Sequence, residues 1–100
     1  MPKRLPTLPA KEALILELLA SAGEMYGLQL VAQSGKRLKR GTVYVTLMRM
    51  EEKGYIVSRI ERRPHNEGGL PRRIYEPTPF GRRVLNAWAH VARLLPEFAR

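Results

Sequence analysis

The sequence predicts a mainly helical α+β fold: three helices, a small β-hairpin and a fourth helix, in that order. Three observations predict it. Apolar residues recur at helical spacing in four separate segments. The stretch "YIVSRIERR" at 55–63 switches to β-branched and aromatic residues, as strands do. A turn, "PHNEGGLP", with Gly68 and Gly69 free to take positive φ, then leads to a second short run of the same kind, "RRIYEP" at 72–77.

The first helix is expected over "TLPAKEALILELLASAG", opened by Thr7 and Pro9 and stopped by Gly23. Leu14, Leu18 and Ala22 share one face of it, with Ile15 and Leu19 beside. "EMYGLQLVAQSG" reads as a shorter second helix, with Leu28, Val31 and Ala32 at helical spacing and Gly35 as its stop. The basic link "KRLKR" leads to the third helix, which Gly54 ends. After the hairpin and Pro79, "FGRRVLNAWAHVARLL" forms the last helix, stopped by Pro96. Three helices followed by a β-hairpin is the winged helix-turn-helix plan, in which the third helix is the reader. Residues 1–78 are expected to form the DNA-binding part and 79–100 a C-terminal dimerisation helix, the two making one compact unit.

Charge narrows the partners. Eighteen Lys and Arg against nine Asp and Glu give a net charge of +9 and a pI near 10.7. Such a field attracts polyanions, either nucleic acid or an anionic membrane surface. No apolar run approaches the roughly 18 residues of a membrane span. The N-terminal "MPKRLPTLPA" lacks the apolar core of a signal peptide. With no Cys there is neither a disulfide framework nor a thiolate site, which fits the cytoplasm.

In the third helix Val43, Leu47 and Met50 fall at i, i+4, i+7 and face a core. The opposite face is centred near Val45, Arg49 and Glu52, with Thr42, Thr46 and Lys53 on one flank and Tyr44 and Met48 on the other. Its hydroxyls and Val45 lie in the N-terminal half, the end that enters a major groove and carries the positive dipole. Arg49 suits guanine O6 and N7, Val45 or a threonine methyl suits a thymine methyl, and the Tyr44 phenol suits a phosphate oxygen. Thr42, Tyr44, Val45, Thr46 and Arg49 are therefore the candidate reading residues. Lys36, Arg37, Lys39 and Arg40 precede the helix. Arg59, Arg62, Arg63, Arg72 and Arg73 decorate the hairpin, with His65 and Asn66 at its tip. Together they bracket the reader as a phosphate clamp would.

"RGTVYVTLMRMEEKGYI" followed by "GGLPRRIYEPTPFGRRVL" resembles the PadR family of bacterial transcriptional regulators. The family pattern falls on Gly41, Thr42, Tyr44, Leu47, Glu51 and Gly54, then on Gly68, Gly69, Arg72, Tyr75, Thr78 and Gly81. Gly27 in "YGLQL" matches the family's short second helix. The resemblance covers roughly residues 10 to 92. It implies a dimeric winged-helix repressor, of the compact branch with one short C-terminal helix. Two departures matter. Lys39 and Arg40 stand where the family often has Ser-Pro, so a serine cap worth ~1 kcal/mol is missing unless Thr42 replaces it. Leu28 stands where the family commonly has Tyr.

The last helix points to a second copy on its own. Its apolar residues sweep about 220° of arc at 100° per residue, whereas docking on one core takes about 100°. Val84, Leu85, Trp88, Val91 and Leu95 are the candidate interface. Trp88 either fills that seam or stacks on a planar ligand; a small aromatic effector is what the resemblance adds here.

Enzymatic chemistry finds no footing. His65 and His90 are the only histidines, so a zinc site is not expected, and no nucleophile triad or phosphate loop is present. No cofactor is expected. The partners expected are double-stranded DNA and a second copy. Two other functions fit the same basic winged helix: a protein-interaction module for an acidic partner, and nonspecific architectural DNA binding.

Overall fold

The computed structural model describes residues 8–61 and 71–94. In chain order its elements are α1 (Ala10–Ala22), β1 (Met25–Tyr26), α2 (Gly27–Gln33), α3 (Arg40–Glu52), β2 (Ile56–Glu61), β3 (Arg72–Pro77) and α4 (Pro79–Leu94). The expected α+β order of three helices, hairpin and helix is present, and α2, its turn and α3 form the helix-turn-helix. Thr7, Arg62, Arg63, His65, Asn66, Gly68, Gly69, Leu95 and Pro96 lie outside the described residues.

β1 departs from the expectation of an unbroken helix from 24 onward. Met25 pairs with Tyr75 and Tyr26 with Ile74, so the sheet has three antiparallel strands in the order β1-β3-β2. Helix α2 begins only at Gly27, where Gln29 Oε1 accepts the Tyr26 N–H at 2.8 Å. This is the side chain-to-backbone half of a capping box. A free edge on β3 was all that two residues needed to leave the helix.

The core lies between α1, α3 and the sheet. α1 supplies Ala13, Leu14, Ile15, Leu16 and Leu19, and α3 supplies Val43, Leu47 and Met50 as its spacing predicts. Leu30 of α2, Leu38 of the turn, and Ile56 and Tyr75 of the sheet complete it. Two faces differ from expectation. In α1 Leu18 is only partly buried and Ala22 is exposed, because the packed face runs through Ile15, Leu16 and Leu19. In α2 Leu28 and Ala32 are exposed and Leu30 is the fully buried residue.

One charge is buried with the core. Glu12 is 4% exposed, and Lys53 Nζ donates to both its carboxylate oxygens, at 3.0 and 2.9 Å. The pair ties the first turn of α1 to the residue just past α3. Lys53 is thus engaged within the fold and does not flank the reading face as its position on the helical wheel suggests.

A second tie fixes α4. Thr78 accepts the Gly81 N–H at 2.9 Å through its hydroxyl, which donates in turn to the Gly54 carbonyl at 2.6 Å. The hydroxyl is therefore an N-cap that also grips the end of α3. Its own N–H donates to Tyr55 O at 3.0 Å. Gly54 sits at φ 80°, in the left-handed region that ends a helix. Gly81 has no room for a side chain, since a Cβ there would stand 2.0 Å from Tyr55 O.

Candidate nucleic-acid interface

The outward face of α3 is where the sequence places it. Tyr44, Val45, Met48 and Arg49 are exposed, as are Arg40, Gly41 and Thr42, while Thr46 is half-buried. Arg49 makes no side-chain hydrogen bond or ion pair with the described residues. The threonines are less free. Thr46 Oγ1 donates to the Thr42 carbonyl at 3.3 Å, and Thr42 Oγ1 lies 3.5 Å from the Lys39 carbonyl. Such back-bonding to the preceding turn is common for hydroxyls inside a helix.

The start of α3 carries no side-chain cap. Lys39 occupies the N-cap position without a side-chain bond, and the Thr42 hydroxyl points to a carbonyl instead of accepting an N–H. Thr42 does not replace the missing serine. The approach is open as well, because nothing stands within 4 Å of where a Cβ on Gly41 would be. Bare N–H groups at the start of a helix favour an anion.

The turn before α3 is built around Ser34. Its buried hydroxyl donates to Val31 O at 2.8 Å and accepts the Leu38 N–H at 2.9 Å. Gly35 and Lys36 both take positive φ, 62° and 72°. Lys36, Arg37, Lys39 and Arg40 are all exposed, and Arg37 Nε donates to Ser34 O at 3.1 Å, which also stiffens the turn. Four cations thus stand on one short segment leading into α3.

The hairpin arginines divide between two faces. Arg73 donates to Ser58 Oγ at 2.9 Å, and Ser58 donates to Glu51 at 2.8 Å, so Arg73 lies on the side of α3. Arg72 turns the other way, with its guanidinium 4.8 Å from the centre of the Tyr26 ring. Arg59 is on that far side too, held by Glu24 at 2.9 Å and Glu76 at 3.1 Å. Arg59 therefore leaves the cationic cluster that the sequence suggests. The Tyr26 hydroxyl donates to the Glu61 carboxylate, and that bond raises the phenol's pKa above its ordinary value. Arg62, Arg63, His65 and Asn66 lie outside the described residues.

Three further residues, noted in the sequence but not among its candidate contact residues, lie on α2 and α3. Met48 is 56% exposed on α3, and Leu28 is 48% exposed on α2. Gly27 is buried beneath Tyr44, whose hydroxyl oxygen would be 2.8 Å from a Cβ on that glycine. The wheel of α3 holds Met48 in view, but nothing local reveals a contact between residues 27 and 44.

Beside α4 lies a groove of about 360 Å³ lined by Leu8, Tyr55, Phe80, Val84, Trp88 and Val91 among others. Val84, Leu85 and Trp88 are half-buried against the core, Val91 is half-buried, and Phe80 is 46% exposed. Tyr55 and Phe80 stack at a tilt, 5.6 Å between centroids. Among the described residues no cluster of ligating side chains could hold a metal, and no helix is long and apolar enough to cross a membrane.

Known proteins locate this architecture. Residues 15–87 match the model of the transcriptional regulator PadR-like family. A PadR family regulator from Eggerthella lenta DSM 2243 is 28% identical, with a TM-score of 0.72, covering 85% of this chain and 73% of that one. A PadR family regulator from Clostridium difficile R20291 is 27% identical, with a TM-score of 0.71, covering 92% of this chain and all of that one. Bacillus subtilis PadR, solved in complex with operator DNA, is 23% identical with a TM-score of 0.66, over 77% of this chain and 45% of that one. No curated protein sequence matches the chain. The matched span includes the helix-turn-helix, the described hairpin strands and the first half of α4, and the chain belongs to the PadR-like family of transcriptional regulators, which are not enzymes.

Proposed function

We propose that the chain is a sequence-specific DNA-binding repressor that acts as a homodimer on a pseudo-palindromic operator. The observation that carries this reading is the outward face of α3. Thr42, Val45 and Arg49 are exposed, and four exposed cations lead into the same end of the helix. Basic side chains beside an uncapped helix start suit phosphates, and the helix face suits base edges. The operator complex of Bacillus subtilis PadR, which shares the fold, supports DNA as the partner. Tyr44, Thr46, Lys36, Arg37, Lys39, Arg40 and Arg73 complete the proposed contact surface, with Arg62, Arg63, His65 and Asn66 as its wing. Arg72 contributes by ordering Tyr26 and the wing's far side.

Dimerisation through α4 follows from its apolar surface. Residues 1–78 would then read DNA while α4 pairs the two copies, with Leu85 and Val91 at the seam. A two-fold axis there sets the two reading helices about one DNA turn apart, ~34 Å. The groove beside Trp88 is where a small aromatic ligand would act, by biasing that pairing.

Duplexes selected from genomic fragments, titrated against random duplex across salt, test the reading. A sequence-specific regulator binds the selected duplex about 10³-fold or more tighter than random DNA. Equal affinity with a steep salt slope means architectural binding, and no binding to either means a protein-interaction module. Val91→Glu tests the dimer: sedimentation should show a monomer, and operator affinity should fall to that of a half-site. A wild-type monomer at tens of micromolar that still binds the palindrome tightly removes the dimer.

A further inference from the structure

We infer that this surface reads its operator chiefly through thymine methyl groups. The inference rests on the reading of α3 as the major-groove helix and adds the chemistry of the bases it takes. Val45 and Met48 are 46% and 56% exposed on that helix, and Leu28 is 48% exposed on α2, beside the glycine that seats Tyr44. The two threonine hydroxyls turn back to the carbonyls of Lys39 and Thr42. Each hydroxyl's proton is thereby used within the helix, so a threonine here meets a base only as an acceptor or through its methyl.

Polar readers are few. No Asn, Gln or Asp occurs between Arg40 and Glu52, so the side chains that pair two-pronged with adenine are absent from α3. Glu51 accepts from Ser58, and Glu52 stands at the far end of the helix. Arg49 remains as one reader suited to guanine. Among the groups a base pair shows in the major groove, the thymine C5-methyl is the largest apolar one, so the exposed Val45 and Met48 side chains have their best partner there. The exposed cations Lys36, Arg37, Lys39 and Arg40 at the helix start favour a polyanion as occupant over the apolar face of another protein.

The test is an operator in which every thymine of the half-sites is replaced by uracil. The substitution removes only the methyl and keeps Watson–Crick pairing. Burying one methyl group is worth about a 4-fold change in affinity. With several methyls contacted, the uracil duplex should bind the full-length chain 10-fold or more weakly than the thymine duplex, while affinity for random DNA is unchanged. Val45→Ala and Met48→Ala, both at exposed positions that alanine fills without strain on the helix, should weaken binding to the thymine duplex and leave the uracil duplex unaffected. A uracil operator bound as tightly as its thymine parent, and still preferred over random DNA, overturns the inference and leaves the regulator intact. Loss of the preference over random DNA for the thymine operator itself overturns the regulator reading, and the inference with it.

Discussion

The Tyr44 ring occupies the space that a side chain on Gly27 would need. A Cβ on Gly27 would stand 2.6 Å from Tyr44 Cε1 and 2.8 Å from its hydroxyl oxygen. The two residues belong to different helices of the helix-turn-helix, so the glycine sets where the phenol of the reading helix can sit. Gly27→Ala should leave the fold intact, because the ring can swing and alanine suits the first turn of a helix. DNA affinity should nevertheless fall as far as it does in Tyr44→Ala. The double variant should be no worse than either single one, and a binding titration over the four combinations reads that coupling. Additive losses would show that Gly27 acts on something other than Tyr44.

Lys53 supplies both hydrogen bonds to the buried Glu12 carboxylate. Lys53→Met should strand that charge and destabilise the fold by about 3 kcal/mol, the low end for a broken buried pair because the Lys53 side chain is 42% exposed. Urea unfolding measures it as a lower midpoint with unchanged slope. Glu12→Gln with Lys53 in place should cost less, since the amide oxygen still accepts from the ammonium.

The junction of Gly54, Thr78 and Gly81 should be intolerant of small changes. Gly81→Ala drives a methyl into the Tyr55 carbonyl, a backbone atom that cannot swing aside, and should cost about 3 kcal/mol or more. Thr78→Val keeps the shape but removes the cap and the bond to Gly54, at about 1–2 kcal/mol. Thermal melts check both, at roughly 4–8 °C for each kcal/mol in a domain of this size. A Gly81→Ala protein that melts with the wild type would mean that α4 can pull away from the hairpin freely.

The hairpin arginines should separate by salt dependence. Arg73 lies on the α3 side, and Arg73→Ala should reduce the slope of log K against log salt by about 1. Arg72 stacks on Tyr26 on the far side, so Arg72→Ala should leave the slope nearly unchanged. Equal changes for the two variants would mean that the wing meets DNA with both its faces.

The alkaline limit of stability should carry a contribution from Tyr26. Its phenol donates to Glu61 and has its pKa raised. A raised pKa means stability that is present in full below the unfolded value near 10 and lost as pH climbs through the folded one. Tyr26→Phe should therefore melt lower than wild type at neutral pH, and the gap should close at strongly alkaline pH. A gap that stays constant with pH would mean that the hydroxyl's bond to Glu61 does not hold the wing.

How much the sequence determined varies with the length and contrast of each segment. α3 was legible because thirteen residues with only three apolar positions facing inward, Val43, Leu47 and Met50, fix both the buried face and the exposed one. The +9 charge and the hairpin's β-branched strands were equally local facts. α1 is apolar almost throughout from Ala13 to Ala20, so periodicity could not choose between Leu18 and Leu16; packing against α3 and the sheet chose. α2 has seven residues, fewer than two full turns, and several faces fitted it until β3 drew Met25 and Tyr26 into a sheet and turned Leu30 inward. Only the tertiary structure decided which arginines are free. Arg59 meets Glu24 across 35 residues of chain and Lys53 meets Glu12 across 41, and no rule of local spacing reaches so far. Charge is counted along the sequence, but ion pairs form where folding brings side chains within about 4 Å.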